Sequence, residues 1–412
     1  MNAPSRRIAV LDVLRGIALL GMFLVHFSTF AQGGEGADGV YQAFVRLMLE
    51  ERFWAMFAIL FGAGFAVQLA RSEARGDAFL PRYLRRLATL AVFGFLAHAL
   101  FGFNVLLGYA VWGMPLLFVR RWSVRALVIA TFISASTGAM YIVGRAAYGV
   151  ATRGEQEFRR TMDENAVRQR EFFQTNRARQ DATQYTDVVK ARLQHMRWFY
   201  AQWWSFLPVN TFTLFLLGVL AFRVGLFERP HEHRRIIVGV MAFGAAAWAT
   251  ATWLLPPFAS DVEPPVVLNI FLAVVKRGFG LIREMWLAFA YMGIVLLLIA
   301  RSARWLDRLA VFGWTGRMAL TCYMLQIVIL DFTFSRYALG LTVTPLVGAA
   351  TAIALFLLLA VASRAWLSRF QYGPLEWLWR SATLAEWQPM RRETVLFPRL
   401  HTVAETEPLS RR

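Results

Sequence analysis

An aspartate, an arginine and a histidine stand inside one apolar run, LDVLRGIALLGMFLVHFSTF, residues 11–30. Ten residues separate Arg15 from His26. At about 100° per residue, eleven steps bring a helix back to within roughly 20° of its starting direction, so the two side chains share a face about 16 Å apart. Asp12, three residues before Arg15, is spaced to pair with it. A neutral imidazole takes up a proton near neutral pH, and a guanidinium matches the oxygens of a phosphate. The stripe therefore offers a general base toward one end of a helix and an anion site toward the other. The plainer reading is an ion pair that seats the helix at a membrane edge, with a hydrogen-bonded interior histidine above it.

Further polar residues interrupt other apolar runs. His98 lies deep in FGFLAHALFGFN, with Asn104 at the end of that stretch. Arg85 and Arg86 precede it, and either can bind an anion or mark a cytoplasmic helix end. GRMALTCYMLQIVILDF holds Arg317, Thr321, Gln326 and Asp331. Arg317 and Gln326, nine residues apart, again fall near one helix face. Asn210, Arg283 and Glu284 complete the set. Gly62 and Gly64 in FGAGF are the small residues that let helices approach closely. The HEH at His231–His233 has no cysteine near it and sits among arginines, a weak metal signal. His195 and His401 read as ordinary residues of polar segments.

Such groups need helices that carry them into a membrane. Of 412 residues, 58% are hydrophobic and 15% aromatic, and the mean hydropathy is +0.46. Soluble domains lie nearer half apolar. Windows of about nineteen residues predict about ten spans, near 11–30, 53–70, 84–103, 105–119, 125–147, 205–226, 236–256, 279–299, 311–332 and 344–363. The expected fold is all-α, a polytopic transmembrane helical bundle; barrel strands would alternate, and these runs do not. The net charge of +18 is carried mostly between spans. With Arg6 and Arg7 inside, the arginine-rich segments after every second span fall on the same side, which predicts cytoplasmic N- and C-termini. That placement argues against nucleic acid as partner. The lone Cys322 excludes an internal disulfide, and the first apolar run reads as an uncleaved span. Four regions follow: an N-terminal bundle with the candidate site (1–148), a polar extracytoplasmic segment that is either a cap or a solvated arm (149–200), a C-terminal bundle (201–370) and a basic, aromatic cytoplasmic tail (371–412). Residues 264–283, apolar and then interrupted by Lys276, Arg277 and Arg283, read as an interfacial helix leading into the eighth span. No internal repeat is evident, which weakens an inverted-repeat transporter.

LDVLRGIALLGMFLV, FWAMFAILFGAGFA, RRLATLAVFGFLAHALFGFNVLLGYA, GRMALTCYMLQ and YGPLEWLWRSATLAEWQPMRR together resemble the YeiB-like membrane proteins, domain-of-unknown-function family 418, over nearly the whole chain. That family commonly has Asn where this chain has His26, Asp where it has Asn104, and Asn where it has Cys322. LRGIALLGMFLVH is also similar to the opening of the membrane acyltransferase-3 proteins, in which an Arg and a His at this spacing belong to the reaction site. This second resemblance implies transfer of an acyl group from cytoplasmic acyl-coenzyme A to an extracytoplasmic hydroxyl or amine. His26 would be the general base, with His98 orienting the acceptor or sharing its proton. Arg15, Arg85, Arg86 and Arg317 would bind the coenzyme A phosphates, with Asp12, Asn104 and Gln326 orienting. No metal is required. The implied location is a bacterial cytoplasmic membrane. The alternative is a transporter of an organic anion or lipid, using the same polar stripe as a path.

Overall fold

A computed structural model describes residues 9–103, 105–201, 209–253 and 265–392. Their order is α1 Ala9–Phe30, α2 Gly36–Phe44 running into a π-helical turn Val45–Leu49, α3 Arg52–Arg75, α4 Phe79–Phe101, α5 Val105–Gly113, α6 Leu116–Val119, α7 Val124–Arg153, α8 Glu155–Gln180 and α9 Tyr185–Ala201. Then follow α10 Val209–Arg223, α11 Arg234–Trp253, α12 Val266–Arg301, α13 Arg304–Arg308, α14 Ala310–Arg317, α15 Ala319–Phe334, α16 Pro345–Arg369 and α17 Pro374–Leu384. Among the described residues the sole β feature is an isolated bridge between Phe370 and Arg391.

Among the described residues, five helical stretches are long and apolar enough to cross a membrane: α1, the run Gly36–Arg75, α4, α7 and α16. A sixth appears if α14 and α15, bent by 82° at their junction, count as one span. The expected fourth span is instead two short helices, α5 and α6, parted before Pro115. The lipid-suited faces are on the outside: Phe132 and Ile133 on α7, and Leu358 and Val361 on α16, are each more than 60% exposed.

The helix expected to lead into the eighth span joins it without a break. Residues 266–301 make one continuous helix of 36 residues, α12. No proline interrupts it, and at 1.5 Å per residue it runs to about 54 Å, well past a hydrocarbon core of about 30 Å. Its first amide, Val266 N–H, donates to Glu155 Oε1 at 3.1 Å, tying it to the start of α8.

The halves of the chain interleave around one core. α1 packs on α14, α16 and α3, and α3 packs on α10. The tightest crossings rest on missing side chains. A Cβ on Gly16 would lie 1.9 Å from the Phe312 carbonyl oxygen, and one on Gly316 would lie 1.8 Å from that of Asp12. Gly62 and Gly218 bring α3 and α10 together in the same way, at 2.0 and 1.9 Å from opposing carbonyls. Gly64 has another use: a Cβ there would meet Arg15 Nη2 at 3.6 Å, so its smallness leaves room for a guanidinium.

Candidate functional site

The N-terminal half of α1 carries the predicted pair. Arg15 Nη1 donates to Asp12 Oδ1 at 3.1 Å, and Asp12 is buried. Arg86 of α4 lies close enough for its charge and that of Arg15 to act on each other. Its guanidinium sits 5.5 Å from the Phe61 ring centre and 4.5 Å from that of Trp379, on α17. Trp379 Nε1–H also donates to the Arg86 carbonyl at 2.9 Å. A cation between two aromatic faces is partly freed from water and gains electrostatic attraction to the rings. Arg85 is exposed. One step along a helix turns a side chain by about 100°, so Arg85 cannot look the same way as Arg86.

Arg317 does not share a helix face with Gln326. The chain leaves the helix at Met318 (φ −115, ψ 34), and the 82° bend parts α14 from α15. Arg317 Nη2 instead reaches the Gln371 carbonyl at 3.5 Å, toward the tail. The new helix start at α15 is stopped by Glu376 of α17. Its Oε1 accepts from the Leu320 and Thr321 amides at 2.7 and 3.0 Å, and its Oε2 accepts from Thr321 Oγ1 at 2.6 Å. A carboxylate here satisfies amides left without helical partners and meets the positive end of the helix dipole.

The C-terminal half of α1 carries His26, which is partly exposed. Its Nδ1 lies 3.2 Å from the Gln326 side-chain amide on α15. Its ring centre is 5.0 Å from that of Phe103. Gln326 is fully buried, so this contact ties the imidazole of a partly exposed residue to a buried partner.

His98, on α4, belongs to a separate cluster. It is buried, and its Nε2 lies 3.2 Å from the Arg192 carbonyl of α9. A carbonyl can only accept, so Nε2 holds the proton and Nδ1 keeps its lone pair; Nδ1 is buried with no hydrogen-bond partner. The His195 ring stacks on it at 5.7 Å. No hydrogen bond or ring contact joins His98 to His26. Burial holds the His195 imidazole below its ordinary value, so it favours the neutral form.

Residues given little weight in the sequence make the strongest contacts here. Arg192 Nη2 donates to Asp331 Oδ1 at 2.5 Å and Nη1 to Oδ2 at 3.1 Å, with side chains only 7% and 4% exposed. Ser335 and Tyr337 hydroxyls donate to the same carboxylate at 2.7 and 2.6 Å. Burial, together with this bond to Asp331, pushes the Tyr337 phenol up. The α8–α9 hairpin is thus a cap clamped on the bundle, not a solvated arm. His195 faces a second imidazole. Asp331 lies in a stretch already singled out, but nothing in the polar segment distinguishes Arg192 from its many arginine neighbours. Asn104 and His401 lie outside the described residues, as do the side chains of Asn210, Arg283 and Glu284. The HEH histidines lie in a turn, with His231 Nε2 3.8 Å from Glu232.

Comparison with known proteins adds to this geometry. Residues 7–152, which carry Asp12, Arg15, His26, Arg86 and His98, match the family described as heparan-alpha-glucosaminide N-acetyltransferase, catalytic. Residues 221–386 match the family described as protein of unknown function (DUF418). Uncharacterized protein YxaH of Bacillus subtilis (strain 168) is 28% identical over 95% of this chain and 97% of its own. Uncharacterized protein YeiB of Escherichia coli (strain K12) is 27% identical over 92% and 96%. No solved structure matches. End to end, then, this chain is similar to YxaH and YeiB, and its residues 221–386 match the domain of unknown function 418.

Proposed function

We propose that the protein is a transmembrane acyltransferase that moves an acyl group, acetyl first among them, from cytoplasmic acyl-coenzyme A to an amine or hydroxyl on the other side of a bacterial cytoplasmic membrane. In this reading the chain makes about ten crossings with both termini cytoplasmic, a placement the arginine distribution favours. One observation carries it. The stretch that matches an N-acetyltransferase catalytic family holds a partly exposed histidine with a buried partner, on the same helix face as Arg15, whose charge lies near that of Arg86.

Arg15 and Arg86 receive the phosphates of coenzyme A. His26 lies eleven steps along α1 from Arg15, about 16 Å at 1.5 Å per residue, a gap that an extended pantetheine arm bridges. His26 then acts as general base at the thioester. For this its Nε2 must carry the lone pair, which requires a proton on Nδ1 and the oxygen of the Gln326 amide facing it. Amide oxygen and nitrogen are interchangeable by a half-turn of the side chain, so Gln326 supplies that orientation at no steric cost. Asp12 holds Arg15 in place. His98 and His195 lie on the side from which the acceptor arrives.

The break between α14 and α15 favours a second reading, an organic-anion or lipid transporter, because discontinuous membrane helices often present a helix start to an anion. Here that start is already occupied by Glu376 of the same chain. This weighs toward the enzyme.

The test uses purified protein in proteoliposomes, with radiolabelled acetyl-coenzyme A on one side and glucosamine enclosed on the other. Label should appear in N-acetylglucosamine, and His26→Ala should lower turnover by about 10²–10⁴, the usual worth of a positioned base. Full turnover by His26→Ala overturns the assignment. Movement of intact substrate without a covalent product favours the transporter.

A further inference from the structure

The acceptor's attack on a thioester puts negative charge on the carbonyl oxygen, and a site for that oxygen must lie beside the general base. Two buried groups on α15 are candidates for it. The Tyr323 hydroxyl is buried with no hydrogen-bond partner, in a residue 6% exposed. Three residues on, Gln326 is fully buried, and the end of its amide turned away from His26 is likewise unpartnered. Residues three apart lie about 60° apart around a helix and about 4.5 Å apart along it, on one side. Leaving a buried polar group unsatisfied is costly. Two such groups, one of them touching the proposed base, mark a place built for something polar that binds there.

We propose that Tyr323 and Gln326 form the oxyanion site of the transfer reaction, an inference that rests on the acyltransferase reading above. The same half-turn of the amide serves both roles. With Oε1 on His26 Nδ1–H, the two Nε2 hydrogens of Gln326 point away from the imidazole and join the Tyr323 O–H as donors. The acceptor nitrogen lone pair forms the N–C bond while the carbonyl π pair moves onto oxygen, held by these donors. His26 Nε2 takes the proton from nitrogen. On collapse the C=O bond re-forms, the C–S bond breaks, and the coenzyme A thiolate leaves and takes that proton.

The experiment follows thiol release from acetyl-coenzyme A by protein in nanodiscs, with hydroxylamine as a small nucleophile that needs no acceptor pocket. Tyr323→Phe keeps the ring and removes only the donor. It should lower kcat by about 10²–10³, the usual loss of one oxyanion donor, and leave KM for acetyl-coenzyme A unchanged. Gln326→Glu keeps an oxygen for His26 Nδ1–H but offers no N–H; it should also lower kcat at constant KM, whereas Gln326→Leu should lose activity further by releasing His26 as well. Melting curves of each variant verify the fold, and Gln326→Glu carries the test if Tyr323→Phe does not fold. Unchanged kcat in Tyr323→Phe or Gln326→Glu, or a change confined to KM, overturns the oxyanion assignment alone. No thiol release by the wild-type protein removes the acyltransferase reading and the oxyanion site with it.

Discussion

Replacing Asp331 by Asn should loosen the α8–α9 cap from the bundle. The carboxylate holds Arg192 by two hydrogen bonds, at 2.5 and 3.1 Å, and neither side chain exceeds 7% exposure. Asn is nearly the same shape and can still bond to Ser335 and Tyr337. What it removes is the countercharge to a guanidinium that lies out of water. Removing one partner of such a buried pair costs about 3–5 kcal/mol, and at this burial little solvent is present to screen it. Each 1.4 kcal/mol is a factor of ten, so local opening of α9 should become about a hundredfold to a few thousandfold more frequent. Hydrogen–deuterium exchange in nanodiscs reads this directly from the amides of Tyr185–Ala201. Exchange there should rise while α1 and α3 stay protected, and Arg192→Met added to Asp331→Asn should recover much of the loss, since no charge is then stranded. Unchanged α9 exchange in Asp331→Asn, or a rise spread evenly over the bundle, would refute the clamp.

Two other outcomes are expected. Because burial holds His195 below its ordinary 6.5, the undocked α9 binds a proton more readily than the docked one. Docking is then strongest above that value and weakens as pH falls through it. Trp198, 6.5 Å from His195 between ring centres, should report this by fluorescence, and the transition should vanish in His195→Gln; an identical titration in that variant would assign it elsewhere. Gly16→Ala should cost about 1–3 kcal/mol by overpacking α1 against α14, whereas Gly64→Ala meets only ordinary contact at 3.6 Å. Thermal size-exclusion profiles should separate the two, and equal melting would contradict the close approach.

Hydropathy marked the helices because apolar length is a local property, and α1, α4, α7 and α16 lie where it pointed. The pairing of Arg15 with Asp12 was legible for the same reason, being three residues apart on one helix. What hydropathy could not show was the knee at Met318: GRMALT has no proline or helix-breaking run, and the carboxylate that stops the second helix comes from Glu376. The division of Arg85 from Arg86 was knowable from helix geometry alone, since adjacent residues diverge. The cap was hidden by numbers: Arg192 is one of many arginines in a polar stretch, and its partner lies 139 residues away. His98 was read as a companion of His26 because both are imidazoles in apolar runs. Depth within a span says nothing of which neighbour a helix turns toward, and α4 turns this one toward α9.

The Leu320 and Thr321 amides wait for an oxygen that lies 56 and 55 residues further along the chain. A ribosome delivers α14 and α15 to the membrane long before it delivers α17. Throughout that interval the knee has no stopper, and Trp379 cannot cover Arg86. The nascent bundle therefore stands open at its guanidinium end while these helices wait for α17, and α17, made after them, is the one that shuts it.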